Sequence, residues 1–272
     1  MLEKIKQLRE IDKAKKIFLA TIPFIILLML YSLASTLRHQ DNANDKILPS
    51  ISQMADAFYI KAFVKDRRTD QYILWQDTFA SLKRLAGGIF FAAILGIIIA
   101  LHIAMLPKLD MLLSPFLIFI SMIPPLAILP IIFIAFGVNE LVKIMLITIG
   151  IFPIITRDLV LTIQKMPKQL ITKAKTLGAT QAQIIYTIIL PQVTPRLINV
   201  IRLSLGMGWM LLIAGEAIAS TEGLGYRIFL VRRYLAMDVI IPYVFWITLL
   251  GFLIDKTLYW ISKNKYHWYC KT

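Results

Sequence analysis

Pro167-Lys-Gln-Leu-Ile-Thr-Lys-Ala-Lys-Thr-Leu-Gly178-Ala-Thr-Gln-Ala-Gln-Ile-Ile-Tyr-Thr-Ile188-Ile-Leu190-Pro191 is a polar, helix-forming stretch in a chain otherwise built from apolar runs. Pro167 suits the first position of a helix, where its missing N–H leaves no bond unmade. Gly178 suits the residue just past that helix, where the left-handed conformation is cheap only for glycine. Thr180-Gln-Ala-Gln183 has capping-box spacing and predicts the start of a second helix. Pro191 is expected to interrupt that helix where the chain returns to the membrane. The stretch therefore reads as two short helices around a sharp corner, lying across the ends of the spans it joins.

The runs on either side make this an all-α membrane protein. The 272 residues are 58% hydrophobic with a mean hydropathy of +0.72, above what soluble domains reach. Apolar runs of about 18 or more residues are long enough to cross a bilayer. Six are expected, at 17–37, 85–106, 111–136, 141–163, 197–220 and 239–261. The first, about 21 residues, is too long for the apolar core of a cleaved leader and reads as a retained helix. The third is broken by Pro115, Pro124, Pro125 and Pro130. Lys143, Arg157, Asp158 and Arg202 fall near the ends of spans four and five, where their heads can reach the interface.

Charge sets the orientation. The N-terminal segment 1–16 holds Lys4, Lys6, Arg9, Lys13, Lys15 and Lys16. The loop 164–196 carries Lys165, Lys168, Lys173, Lys175 and Arg196 with no acid, and the tail carries Lys263, Lys265 and Lys271. An even number of spans puts all three on one side, which the positive-inside rule assigns to the cytoplasm. The segment 38–84 has about eight basic residues, but also Asp41, Asp45, Asp56, Asp66, Asp70 and Asp77, and is placed outside. Within it Ile51, Met54, Ala55, Phe58, Ala62 and Phe63 recur at helical spacing. They predict an amphipathic helix, either on the membrane surface or against the bundle. With no internal repeat and no linker, 17–272 forms one membrane domain.

Several classes of function are excluded. The net charge of +14 is spread between apolar runs, with no aromatic-basic stripe for nucleic acid. The single cysteine, Cys270, permits no internal disulfide, and His39, His102 and His267 form no ligand set. No cluster of His, Asp, Cys or Ser has catalytic spacing.

The spacing of Ala174, Gly178, Ile188, Leu190 and Pro191 resembles the cytoplasmic loop of ABC-importer permeases, which reads Glu-Ala-Ala, three residues, Gly, nine residues, Ile-x-Leu-Pro. The resemblance is to permeases of the nitrate/sulfonate/taurine type and extends over roughly 47–262. It takes in Leu48-Pro49-Ser50, Ser81-Leu82-Lys83-Arg84, Ile123-Pro124-Pro125-Leu126-Ala127, Phe136-Gly137-Val138-Asn139-Glu140, Gly215-Glu216-Ala217 and Gly223-Leu224-Gly225. It implies a type I importer fold of six transmembrane helices in the bacterial inner membrane. It also implies a second copy of the chain, two cytoplasmic ATPase subunits carrying ATP and magnesium, and a periplasmic or lipid-anchored solute-binding protein. The chain lacks Gly-x4-Gly-Lys-Ser/Thr, so no cofactor is expected in it. The residues matched to ATPase coupling are Thr172, Lys173, Ala174, Lys175, Leu177, Gly178, Ala179, Ile188, Leu190 and Pro191. Thr172-Lys173-Ala174 departs from the family's Glu-Ala-Ala, which replaces an acid with a lysine's neighbourhood. By the same resemblance Met122, Pro124, Pro125, Met207, Trp209 and Met210 would line the path, with ordinary helix packing as the other reading. Glu216 is either a path residue or a structural acid paired with Arg202, Arg227 or backbone. A stand-alone secondary transporter would show inverted repeats and paired acids in mid-membrane. It remains the alternative. The solute is read no more closely than a nitrate-, sulfonate- or taurine-like or small nitrogenous compound. Arg232-Arg233 through Pro242-Tyr243 weakly resembles a subgroup linked to urea-carboxylase-type nitrogen metabolism.

Overall fold

A computed structural model describes residues 13–41, 45–67 and 69–269, all helix and connection. Most of the N-terminal segment 1–16 and Cys270 lie outside them. The helices are α1 (Lys13–Asp41), α2 (Ile51–Phe63), α3 (Ile73–Met105), α4 (Pro107–Ser121), α5 (Pro125–Phe136), α6 (Glu140–Gln164), α7 (Lys168–Thr176), α8 (Gln181–Ile184), α9 (Leu190–Ala219), α10 (Leu224–Arg232) and α11 (Met237–Lys265). Five stretches are long and apolar enough to cross a membrane, and six if the bent pair α4–α5 counts as one broken span.

The core is built on α3, α6 and α9. Gly88, Ala92, Gly96 and Ala100 recur every fourth residue on α3 and are buried. Their lack of bulk brings α3 onto the branched row Ile147, Ile151 and Ile155 of α6: a Cβ on Gly88 would lie 2.5 Å from Ile147, and one on Gly96 2.6 Å from Ile155. Without a hydrophobic drive between helices in lipid, such close approach supplies dispersion contact instead.

The third span is not one helix. α4 ends at Ser121 and α5 begins at Pro125, bent from it by 95°. Pro124 and Pro125 offer no N–H to carry the ladder through, and each biases its predecessor away from helical angles. α6 then starts on an Asn139 cap, whose Oδ1 accepts the Val142 N–H at 3.0 Å.

Two spans begin earlier than expected. α3 starts at Ile73 instead of 85, so its first turns lie in the segment read as external. At 33 residues it is about 50 Å long against a hydrocarbon core of about 30 Å, so it extends beyond the bilayer. The fifth helical stretch runs from Gln181 to Ile218, not from 197. Pro191 does not interrupt it, because residues Ile185–Ile189 widen into a π-helical turn and the Leu190 N–H reaches Ile185 O. The extra width takes the proline ring without a break.

α2 starts on a capping box between Ser50 and Gln53 and packs on the bundle, with Phe58 against Trp246 of α11 at 5.8 Å and the Trp75 indole N–H donating to Ala62 O at 3.1 Å. Of the expected stripe, Ile51, Ala55 and Phe63 stay exposed.

Candidate coupling loop and buried charge network

At one end of the molecule the hairpin 167–191 turns its corner at Gly178 and Thr180 as expected, while Pro167 precedes α7 as its cap instead of opening it and the second helix runs on into the span. Gly178 has φ +82°, in the left-handed region. Its N–H reaches Lys175 O and the Ala179 N–H reaches Ala174 O, both at 3.0 Å, which closes α7 in a Schellman motif. Thr180 and Gln183 form the capping box: Gln183 Oε1 accepts the Thr180 N–H at 2.8 Å, and Thr180 Oγ1 accepts the Gln183 N–H at 3.3 Å. Both helix ends at the corner are satisfied, so the corner is stiff. Ile171, Ala174, Ala179 and Ile188 pack against the core, and Leu190 is half-buried. Thr172, Lys173, Lys175, Leu177 and Pro191 face outward, with Leu177 79% exposed.

The base of the hairpin is tied. Asp158, near the end of α6, accepts two bonds from Arg196 of α9, at 2.6 and 2.7 Å. These residues flank the loop in sequence, so the pair joins its incoming and outgoing strands. The sequence placed Asp158 near the interface end of its span but did not show its partner.

At the opposite end of α6 and α9 lies a buried charge network. Asp77, Ser81 and Arg84 share one face of α3. Arg84 donates to Glu216 Oε1 at 2.7 Å, to both oxygens of Glu140 at 2.5 and 3.0 Å, and to Glu222 O at 2.9 Å. Glu216 also accepts the Ser81 hydroxyl at 2.8 Å and the Gly225 N–H at 2.8 Å. Ser81 Oγ in turn accepts the Leu224 N–H at 2.8 Å. Asp77 accepts the Gly223 N–H at 2.9 Å and the Arg227 Nε–H at 2.8 Å. The α9–α10 turn is thus read out group by group by three side chains of α3. Glycine is required there: Gly223 has φ +124°, and a Cβ on it would sit 2.5 Å from the Glu216 carboxyl.

Several expected partners change. Glu216 pairs with Arg84, not with Arg202 or Arg227. Its backbone bond to Gly225 was foreseen in kind. Arg202 is held by Asp255 of α11 at 2.8 and 3.0 Å instead of reaching for the interface. Lys143 is 3% exposed and bonds Glu140 at 2.5 Å. Buried charge costs too much to leave unpaired, so each of these side chains finds an opposite charge within the bundle.

The path residues divide into two groups. Met207 and Pro125 meet at a cavity of about 30 Å³, walled also by Ser121, Gly150 and Pro153. Met122 and Pro124 at the α4–α5 bend are exposed, and Met210 is half open. Trp209 points elsewhere: it is buried, and a Cβ on Gly251 of α11 would lie 3.2 Å from its Nε1. Glu216 is enclosed by its network, apart from the Met207 cavity. Among the described residues no three His, Cys, Asp or Glu are grouped to hold a metal.

The chain matches the family model of the binding-protein-dependent transport system inner membrane component over residues 92–264. It is 33% identical over 196 residues to the taurine transport system permease protein TauC of Escherichia coli (strain K12), covering 72% of this chain and 71% of that one. It is 30% identical over 196 residues to the bicarbonate transport system permease protein CmpB of Synechococcus elongatus, covering 71% and 70%. In fold it resembles a chain of the inward-facing MetNI methionine ABC transporter, with a TM-score of 0.63 at 21% identity over 71% of this chain and 96% of that chain. It also resembles a chain of a bacterial ABC transporter involved in alginate import, with a TM-score of 0.61 at 12% identity over 95% and 99%. The chain belongs to the family of binding-protein-dependent inner-membrane transport components, as a permease subunit of an ABC importer of the nitrate/sulfonate/taurine type whose ATPase is a separate subunit.

Proposed function

We propose that two copies of this chain enclose a path for a small polar solute and that α7 and α8 form the lever through which two ATPase subunits move it. The observation that carries this reading is the construction of the hairpin 167–191. Its corner is locked by the Schellman motif and the capping box, and its base is clamped by the Asp158–Arg196 pair. A push on exposed Leu177, Lys173 or Lys175 therefore passes into α6 and α9 instead of being absorbed in the loop. Ile188, Leu190 and Pro191 carry it on, as the continuous helix Gln181–Ile218 leads to the Met207 and Met210 region.

ATP and magnesium belong on the partner ATPase, since this chain has no phosphate-binding Gly-x4-Gly-Lys-Ser/Thr to hold them. In this reading the hairpin and both termini are cytoplasmic, and the α9–α10 turn faces the side where a periplasmic or lipid-anchored binding protein delivers solute. ATP binding favours one arrangement of the two copies and hydrolysis releases it, giving alternating access by rigid-body motion. The path is lined by Met122, Pro124, Pro125, Met207 and Met210, while Trp209 and Glu216 support it from behind. Taurine and bicarbonate, named for the two relatives, frame the solute class as a small polar compound bearing an anionic group.

Purification of the full chain in mild detergent, with mass spectrometry of what accompanies it, tests the reading. An ATPase subunit recovered in equal amount, and lost on deleting 167–183, is the expected result. A stable homo-oligomer without ATPase, from cells that express one, would overturn it.

A further inference from the structure

Two adjoining cavities run along the seam that α1 and α2 make with the start of α11. The first, about 570 Å³, is polar and is lined by Asp45, Lys46, Gln53, Tyr234 and Asp238. The second, about 580 Å³, is lined by apolar and aromatic side chains, among them Leu28, Met54, Phe58, Ile241 and Phe245. They share walls. Gln53 of the polar cavity and Met54 of the apolar one are neighbours on α2, and Asp238 and Ile241 are one turn apart on α11. A single groove thus passes from a charged mouth to an apolar floor.

Charge and length identify the occupant. Asp45 is engaged by Arg38 and by the Ile47 N–H at 2.9 Å. Lys46 and Asp238 have no counter-ion among the described residues, so the mouth offers one free cation and one half-buried free anion. From Asp238 to Leu249, the far wall of the apolar cavity, α11 rises about 16 Å, or about half the ~30 Å thickness of a bilayer core. The groove therefore has the depth of one leaflet. Its apolar and aromatic lining suits an acyl chain, and its paired opposite charges at the mouth suit a zwitterionic head.

We propose that this groove binds one phosphatidylethanolamine molecule, with its phosphate against Lys46, its ammonium donating to Asp238 and an acyl chain along Ile241 and Phe245. A phosphatidylglycerol head would set neutral hydroxyls against Asp238 and leave its charge without a counter-ion. A choline head has no N–H to donate to it. The lipid would also seat α1, whose apolar side chains are otherwise largely exposed. Direct ties between α1 and the rest run through Tyr31 and Ser35 to the Pro49 and Leu48 carbonyls and through Arg38 to Asp45.

The test is native mass spectrometry of the full chain extracted from nanodiscs of equal phosphatidylethanolamine, phosphatidylcholine and phosphatidylglycerol. The expected result is about one phosphatidylethanolamine retained per chain in preference to the others. Asp238→Asn and Lys46→Gln should each lower retention about tenfold, the factor set by about 1.4 kcal/mol. Ile241→Trp should abolish it by filling the groove. If that variant fails to fold, the two polar variants, at half-buried and exposed positions, still decide. Equal retention of all three lipids, or unchanged retention in the polar variants, overturns the proposal. So does a disulfide between copies bearing Phe245→Cys in a Cys270→Ser background, which would show a second chain on the groove. None of these readouts involves ATPase or solute, so they stand or fall independently of the importer reading.

Discussion

Arg84 of α3 and Glu216 of α9 meet at 2.7 Å with 3% and 0% of their side chains exposed. Through this pair the α9–α10 turn is fastened to α3, because Ser81 on the same helix face bonds both Glu216 and the Leu224 N–H. Removing one partner leaves the other charge buried and alone. Arg84→Ala is expected to destabilise the chain by about 3–5 kcal/mol. Arg84→Met with Glu216→Leu should lose less, because no buried charge is left alone, although the Ser81 hydroxyl and the Gly225 N–H lose their acceptor. Thermal unfolding of the detergent-solubilised single and double variants checks this. An equal loss in both would show that the pair acts by packing and not by charge.

The sequence revealed the parts of this molecule that depend on local pattern. Gly178, Thr180 and Gln183 are recognisable because caps and left-handed turns need particular residues within a few positions of each other. The spans are recognisable because the bilayer demands long apolar runs. Partner choice across helices has no such signature. Asp77, Ser81 and Arg84 look like a polar approach to the second span until α3 is extended back to Ile73, when their spacing puts them on one buried face. Arg202 and Asp255 are 53 positions apart, and only folding brings them together. The 95° bend at Pro124-Pro125 was foreshadowed by the prolines, but its size depends on how α5 packs against α6 and α9.

Glycine substitutions should separate strain from collision. A Cβ on Gly178 meets nothing within 4 Å, so Gly178→Ala carries only the left-handed backbone penalty of about 1 kcal/mol. Gly178→Asn should be tolerated better. A Cβ on Gly225 would lie 2.8 Å from Ile213 Cα and 2.9 Å from its carbonyl oxygen, both backbone atoms that do not yield easily. Gly225→Ala is expected to lose about 3 kcal/mol or to fail to accumulate. Expression level and thermal midpoint, measured side by side, distinguish the two. A Gly225→Ala chain as stable as Gly178→Ala would contradict the tight turn.

The Asp158–Arg196 pair is partly exposed, so its worth to stability is modest, about 1 kcal/mol. Its effect on coupling is expected to be larger. Asp158→Asn should leave the thermal midpoint within a few degrees of the parent while lowering solute-stimulated ATP hydrolysis by the reconstituted importer. The hairpin can then move without carrying α6 and α9. Restoration of coupling by the charge swap Asp158→Arg with Arg196→Asp would show that the tie itself matters. Normal stimulation in Asp158→Asn would sink the clamp.

Lys173 and Lys175 stand exposed in the last turn of α7 with no acid nearby in the loop. Part of their role is local, since cations at a helix C-terminus are favourable by about 0.3–1 kcal/mol. The hypothesis is that they also face an acidic side chain on this importer's own ATPase, beside Thr172, which stands where the family pattern has a glutamate. The two roles separate on reversal. Lys173→Gln removes both favourable interactions and adds no repulsion, so ATPase recovery should fall only slightly. Lys173→Glu sets like charges against each other across the interface and should lower recovery about tenfold or more, at about 1.4 kcal/mol per factor of ten. Rising salt should narrow the difference between the two variants, as screening weakens exposed charge pairs. If Lys173→Glu assembles with the ATPase and supports transport as well as the parent, no acid lies opposite this position, and the lysines serve α7 alone.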